Sequence, residues 1–317
     1  MSTGVSIFTL VSRIFHVTDF GMAYDSAIGD MVFRPGARLS MNYFLDTTDL
    51  VSLWLGRDVV DSLVFLAILG ENYREPSFTQ NVAPKPASIT ALARTLDMPY
   101  ETVRRHTLAL SASGFCQKQK GGYVVPDQPA DHPNLEDLLR EIAGATQSLL
   151  TGLVQIGSPL ACPPSLDLEP RAARMAIRYY VEGMVGVCQS LNMDVIRAVI
   201  LLNIVRRNLS AFEIGEAANG FSESPAQWNA QDKRQAVSTY WVAKTLRLPY
   251  ETVRRHCRAL LEQGAVETGH SGGLLVTRRQ LGTSKGLAAT QSVWSATKDF
   301  LESLTQMTQA LAEPAYS

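Results

Sequence analysis

The octapeptide "PYETVRRH" occurs twice in this chain, at residues 99–106 and 249–256, 150 positions apart. The likeness runs well beyond it. Residues 91–114 align with 241–264 with 14 identities in 24, and 34–72 align with 170–208 with 10 in 39. About a third of the other aligned pairs exchange one apolar residue for another, such as Phe65 for Leu201 and Leu69 for Val205. The two offsets differ by 150 − 136 = 14 residues, an insertion within the polar, glycine-containing stretch 210–235 of the second copy. Whatever one copy folds into, the chain must therefore build it twice. Two copies are too few for a solenoid, so the reading is a tandem duplication of one domain.

Each copy carries the same succession of local signals. A helix with aromatic positions (37–54; 172–190) precedes a strongly apolar helix opened by aspartate (58–72; 194–208), a good N-cap residue. A short helix follows (88–97; 238–247). A tight turn then holds Pro99 or Pro249, suited to the first turn of a new helix. That next helix bears the octapeptide and ends at Gly114 or Gly264, as a C′ glycine. Two strand-like pieces surround a glycine pair (115–125; 265–277), and an amphipathic helix trails each copy (134–154; 288–311). The expected organisation is an N-terminal helical segment (1–33), a first module with its trailing helix (34–157), a proline-rich linker (158–169) and a second module (170–317). The fold class is mainly α with small β-wings.

Composition narrows the function classes. Apolar residues make up 46% of the 317 residues and charged residues 19%, enough for buried cores and too little charge for a disordered chain. The net charge of −1 excludes a polycation, so any nucleic-acid surface is a local patch. The apolar start lacks a basic region and is interrupted by Arg13 and His16, unlike a signal peptide. The apolar run 58–70 is too short to span a bilayer and carries Asp61. Cys116, Cys162, Cys188 and Cys257 form no CxxC pair and no ligand cluster with histidine. Together these features predict a cytoplasmic protein with buried thiols, no membrane contact, no metal and no cofactor.

Two helices joined by a short turn and followed by a β-ribbon describe a helix-turn-helix with a wing. The stretches "ALARTLDMPYETVRRHTLALSASGFCQKQKGGYVV" and "WVAKTLRLPYETVRRHCRALLEQGAVETGHSGGLLV" resemble winged helix-turn-helix bacterial transcriptional regulators of the DeoR, GntR and MarR-like groups. The shared elements are a short helix, a turn, a Thr-apolar-Arg-Arg core, a leucine, a glycine and a Gly-Gly wing. The likeness covers about 65 residues per copy, and it departs at Pro99 and Pro249, where those groups often place serine. It implies tandem winged helix-turn-helix modules that bind double-stranded DNA, with two recognition helices in one chain.

The residues agree with that implication. Val103, Thr107, Leu110 and Gly114 share one side of their helix, as do Val253, Cys257, Leu260 and Gly264, and these sides face the core. Tyr100, Thr102, Arg104 and Arg105, with Tyr250, Thr252, Arg254 and Arg255, lie on other faces near the helix start. Arginine bonds guanine bidentately or grips phosphate, and hydroxyls bond phosphate. Lys118 and Lys120 on the first wing and His270 on the second complete the predicted DNA-binding set. Elsewhere the copies have diverged: Asp61 aligns with Arg197, and Asp97 with Arg247. Identity kept on the non-core side of one helix points to one chemical object touched by both copies. Two similar half-sites are expected, inverted or direct, with centres about 34 Å apart or a multiple of that. His106 and His256 read either as partly buried histidines or as base contacts.

Other chemistry lacks its parts. "GHSGG" at 269–273 matches an esterase pattern, but it falls between two strands with no later histidine. Neither GxxxxGK[ST] nor HExxH occurs, so the chain is expected not to be an enzyme. Tyr43, Phe44, Tyr179 and Tyr180 read as core or as the lining of a small-molecule effector pocket. A homodimer is a further expected partner. Two alternatives to a transcription regulator stand: a protein-interaction scaffold of winged helices that do not bind DNA, and a plasmid-type replication initiator.

Overall fold

The computed structural model describes residues 21–73, 84–128, 134–158, 170–212, 234–269, 272–277, 280 and 284–312, with side chains of 33–55, 172–191 and 284–308 in the helices at those places. The fold is mainly helical, with two small two-stranded sheets. The first copy comprises α1 (Gly21–Leu55), α2 (Val59–Asn72), α3 (Ile89–Leu96), α4 (Tyr100–Ala112), β1 (Gln117–Gln119), β2 (Gly122–Val124) and α5 (Leu135–Gln155). The second repeats the order as α6 (Pro170–Leu191), α7 (Val195–Asn208), α8 (Thr239–Leu246), α9 (Tyr250–Glu262), β3 (Val266–Thr268), β4 (Leu274–Val276) and α10 (Ser284–Ala312).

Local chemistry sets most boundaries. Asp58 and Asp194 cap α2 and α7 by accepting backbone N–H groups, and Ser88 and Ser238 do the same for α3 and α8. The turns after α3 and α8 pass through Asp97 and Arg247 in the left-handed region, at φ 49° and 53°. Pro99 and Pro249 sit one position earlier than the sequence suggests, at the N-cap rather than inside the first turn. Gly114 and Gly264 end α4 and α9 at φ 79° and 67°, a conformation that disfavours other residues. The expected first helix, 37–54, is longer in the structure and begins at Gly21. The Pro35–Gly36 pair reads locally as a breaker. The helix runs through it, and the Trp294 ring of α10 packs where a Cβ at position 36 would stand.

The two copies interlock. α1 packs against α7 of the second copy, and α6 packs against α2 of the first. The trailing helices close the arrangement: α5 and α10 each contact both α1 and α6. Tyr43 stacks on Tyr179, its aligned counterpart, at 5.4 Å between centroids. Reciprocal packing of this kind, with a residue meeting its own equivalent, is the mark of two-fold symmetry. The chain is thus a pseudo-dimer in one polypeptide. Tyr43, Phe44, Tyr179 and Tyr180 are buried at its centre, so the core reading of these aromatics holds. Their hydroxyls are satisfied: Tyr43 donates to the Ala176 carbonyl at 3.0 Å, Tyr180 pairs with Thr48 at 2.7 Å and Tyr179 with Thr297 at 2.9 Å.

One buried asparagine in each copy ties helix to hairpin. Asn72 Nδ2 donates to the carbonyls of Lys85 and Tyr123 (2.7 and 3.0 Å), and its Oδ1 accepts from Val125 N–H (2.9 Å). Asn208 does the same with Gln235, Leu274 and Val276 at 2.7, 3.1 and 2.6 Å. The glycine pair of the first hairpin lets the sheet close on Ala87, since a Cβ at Gly122 would strike the Ala87 carbonyl. Replacing Asn208 by alanine leaves the Gln235 carbonyl and the Val276 N–H without that partner beneath the hairpin, while the Leu274 carbonyl keeps the Val237 N–H. The expected loss is about 2–4 kcal/mol of stability, read by urea unfolding. A loss below about 0.5 kcal/mol would contradict this role.

Candidate nucleic-acid interface

α4 and α9 each bury one stripe and expose the rest. Val103, Thr107 and Leu110, and Val253, Cys257 and Leu260, are buried, as expected. Tyr100 and Tyr250 are half-exposed despite their size (51% and 47%), and Arg105, Arg254 and Arg255 are exposed. Thr102, Thr252 and Arg104 are intermediate. The structure therefore brings the octapeptide's predicted contact residues together on the outward side of each helix.

The arginines divide into two kinds. Arg104 donates from Nε and Nη2 to both carboxylate oxygens of Glu101, at 2.8 and 2.7 Å. Arg254 pairs with Glu251 at 2.8 Å, its Nε and Nη2 both facing the one oxygen Oε2. The Arg104 hydrogen bond holds the Glu101 carboxyl below its ordinary range, and the glutamates raise the arginines. Arg105 and Arg255 make no hydrogen bond or ion pair among the described residues. The i,i+3 pairing was legible from spacing alone, and it leaves Arg105 and Arg255 as the available cations. The proline caps add a second feature. Pro99 and Pro249 offer no side-chain acceptor to the helix start, so the first N–H groups of α4 and α9 keep their capacity for an anion.

The hairpins differ. In the first, Lys118 and Lys120 are exposed, on β1 and in the turn after it. In the second, pairing places Thr268 opposite Leu274 as Lys118 stands opposite Tyr123, and Glu267 replaces Gln117. His270, predicted for the second wing, lies outside the described residues, as do Arg278 and Arg279 and most of the expected linker.

The identical histidines occupy different environments. His106 Nδ1 meets Asp61 Oδ1 at 2.7 Å, and Asp61 also pairs with Arg57 at 3.2 Å. Burial would raise the Asp61 carboxyl, but the hydrogen bonds from His106 and Arg57 outweigh it and hold it low. In the second copy Arg197 and Met193 align with Asp61 and Arg57. His256 is buried there, and its Nδ1 has no hydrogen-bond partner. Burial lowers its pKa; Asp194 opposes that, and Arg197 and Arg255 add to it. Asp58, Asp61 and His106 stand close enough to hold a metal ion. Asp58 Oδ1 accepts the α2 cap bonds, and Asp61 takes the Arg57 and His106 contacts. Burial also pushes the thiols of Cys116, Cys188 and Cys257 up, to about 12, 12 and 11, which suits inert core residues.

Comparison with known protein families, with curated proteins and with solved structures finds no match. Among the described residues no single helix is long and apolar enough to cross a membrane.

His256 generates a pH prediction. An unfolded imidazole titrates near pH 6.5, and the folded value lies lower. Between the two, the unfolded state binds more protons, so stability falls as pH drops below about 6.5. Urea unfolding at about pH 7.5 and 5.5 should show this loss, and His256→Leu should diminish it. An unchanged pH dependence in the variant would contradict the assignment.

Proposed function

We propose that the chain is a sequence-specific regulator of transcription that binds double-stranded DNA through two tandem winged helix-turn-helix modules. The observation that carries this reading is the outward face of α4 and α9. Tyr100, Glu101, Thr102, Arg104 and Arg105 recur unchanged as Tyr250, Glu251, Thr252, Arg254 and Arg255, while Asp61 and Asp97 have become Arg197 and Arg247. Core packing does not require the exposed members of that set. A shared target for two equivalent recognition helices explains why they were kept.

The division of labour follows from geometry. Arg105 and Arg255 read base edges in the major groove. The Glu101–Arg104 and Glu251–Arg254 pairs present a guanidinium held in one orientation beside a carboxylate, which can accept from cytosine. The helix starts and the Lys118/Lys120 wing hold phosphates, more strongly on the first side. The pseudo-two-fold axis favours inverted half-sites over direct ones. No catalytic step is assigned. A replication initiator would use the same surface.

Duplexes selected from a random pool provide the test. Arg105→Ala and Arg255→Ala should each weaken binding by about 1–3 kcal/mol, with unchanged circular dichroism, and more than Arg104→Ala or Arg254→Ala. Log affinity should fall linearly with log salt. If the double variant Arg105→Ala/Arg255→Ala binds as wild type does and salt has no effect, the scaffold reading replaces this one.

A further inference from the structure

A cavity of about 150 Å3 lies between the central helices and the second hairpin. Its wall is apolar: Met41 of α1, Val187 of α6, Leu201 and Val205 of α7, and Ala289 and Val293 of α10. Arg34, Arg38, Thr290 and Gln280 supply its polar groups, Arg38 also donates from Nη2 to the Leu209 and Phe212 carbonyls, and among the described residues no acidic side chain lines it. The buried aromatics Tyr43, Phe44 and Tyr179 are not part of it.

The duplication supplies an internal control. Thr146 of α5 lies beside Tyr43 as Thr297 of α10 pairs with Tyr179, which aligns the trailing helices 151 residues apart. At that register Leu135, Leu138 and Ile142 stand where Gly286, Ala289 and Val293 are. On the apolar helices Phe65, Leu69 and Tyr73 stand where Leu201, Val205 and Leu209 are. Every one of these changes makes the second side smaller. On the first side Leu135, Leu138, Ile142 and Phe65 are fully buried, and the Tyr73 ring lies under the Arg174 guanidinium at 4.5 Å. Concerted loss of volume at aligned core positions normally destabilises a fold, at a cost that grows with the residual cavity. A space of about 150 Å3 is the size that takes one molecule as large as benzene, and this one is partly open to the surface.

We propose that this cavity is a binding site for a small amphiphile, an apolar body about the size of a benzene ring with one acceptor or anionic end toward the arginines. Guanidinium groups donate and do not accept, and their charge repels a cation, so the polar end of the ligand is not an ammonium. The ligand would wedge α1 against α7 and β4. Because α7 packs on α9, occupancy would shift the second recognition helix relative to the first. That last consequence rests on the proposed DNA-binding function; the binding itself does not.

Calorimetry and thermal unfolding of the full chain without DNA test the site, with hexanoate, 1-hexanol and hexylammonium as probes. Hexanoate and hexanol should bind saturably, one per chain, and raise the Tm, with hexylammonium at least about tenfold weaker. Restoring the bulk of the first side with Leu201→Phe and Thr290→Leu should abolish binding, and Ala289→Leu alone should weaken it about tenfold. Circular dichroism would identify folded variants, and the single variant serves if the double one fails to fold. Undiminished binding in a folded filled variant, equal binding of hexylammonium, or no saturable binding of hexanoate and hexanol would overturn the proposal. If hexanoate binds but leaves DNA affinity unchanged, the site stands and its coupling to DNA does not.

Discussion

The structure depends on the meeting of Tyr43 with Tyr179. The two rings stack 5.4 Å apart, and Tyr179 also stacks on Phe300 at 4.7 Å, in a centre fully closed to solvent. Because each tyrosine is the counterpart of the other, this contact fixes the relation between the copies. It forces α1 onto α7 and α6 onto α2, so neither copy completes its core alone. Arg247 shows how far the interlocking reaches: from the turn between α8 and α9 it donates to the Ser52 carbonyl of α1 at 3.1 Å. The buried asparagines then carry the geometry outward, each holding its hairpin to its apolar helix by two hydrogen bonds and the segment before α3 or α8 by a third. The orientation of α4 and α9 is therefore set from the centre of the molecule, not by a linker.

On this symmetric frame the differences between the copies acquire meaning. The first copy is the tighter, with filled positions around Phe65 and Tyr73, an Asp61–His106 contact and a lysine-bearing hairpin. The second holds the cavity, the unpartnered His256 and an acidic residue, Glu267, where the first has Gln117. A surface kept identical on α4 and α9 while its supports diverge suggests that one contact is made twice and modulated on one side.

Much of this was legible from residues alone. The aspartate caps, the C′ glycines and the stripes of Val103, Thr107 and Leu110 and of Val253, Cys257 and Leu260 follow from local rules, and the structure places them as those rules require, with Gly264 exposed instead of facing the core. The match of Asn72 with Asn208 was visible, but its reason was not, because its partners lie 13 and 51 residues away. Local patterns also hid the interlocking: periodicity reports that α1 has an apolar face without saying which copy covers it. The helix also continues through Pro35–Gly36, where Trp294 of the other copy's trailing helix requires the glycine. At the candidate site the sequence names the arginines, and the i,i+3 spacing of Glu101–Arg104 and Glu251–Arg254, paired in the structure, ranks them. The cavity could not be read locally, because it is a sum of small losses spread over α7 and α10.

The central claim is that the two copies act as a symmetric pair on one duplex. Footprinting on a selected site tests it most directly, using wild type beside variants that lose the arginines of one helix only. The account predicts protection of two inverted half-sites about one or more helical turns apart, about 34 Å each. Arg104→Ala/Arg105→Ala should erase one half, and Arg254→Ala/Arg255→Ala the other. Protection lost evenly from both halves, or a footprint indifferent to one pair of arginines, would contradict it.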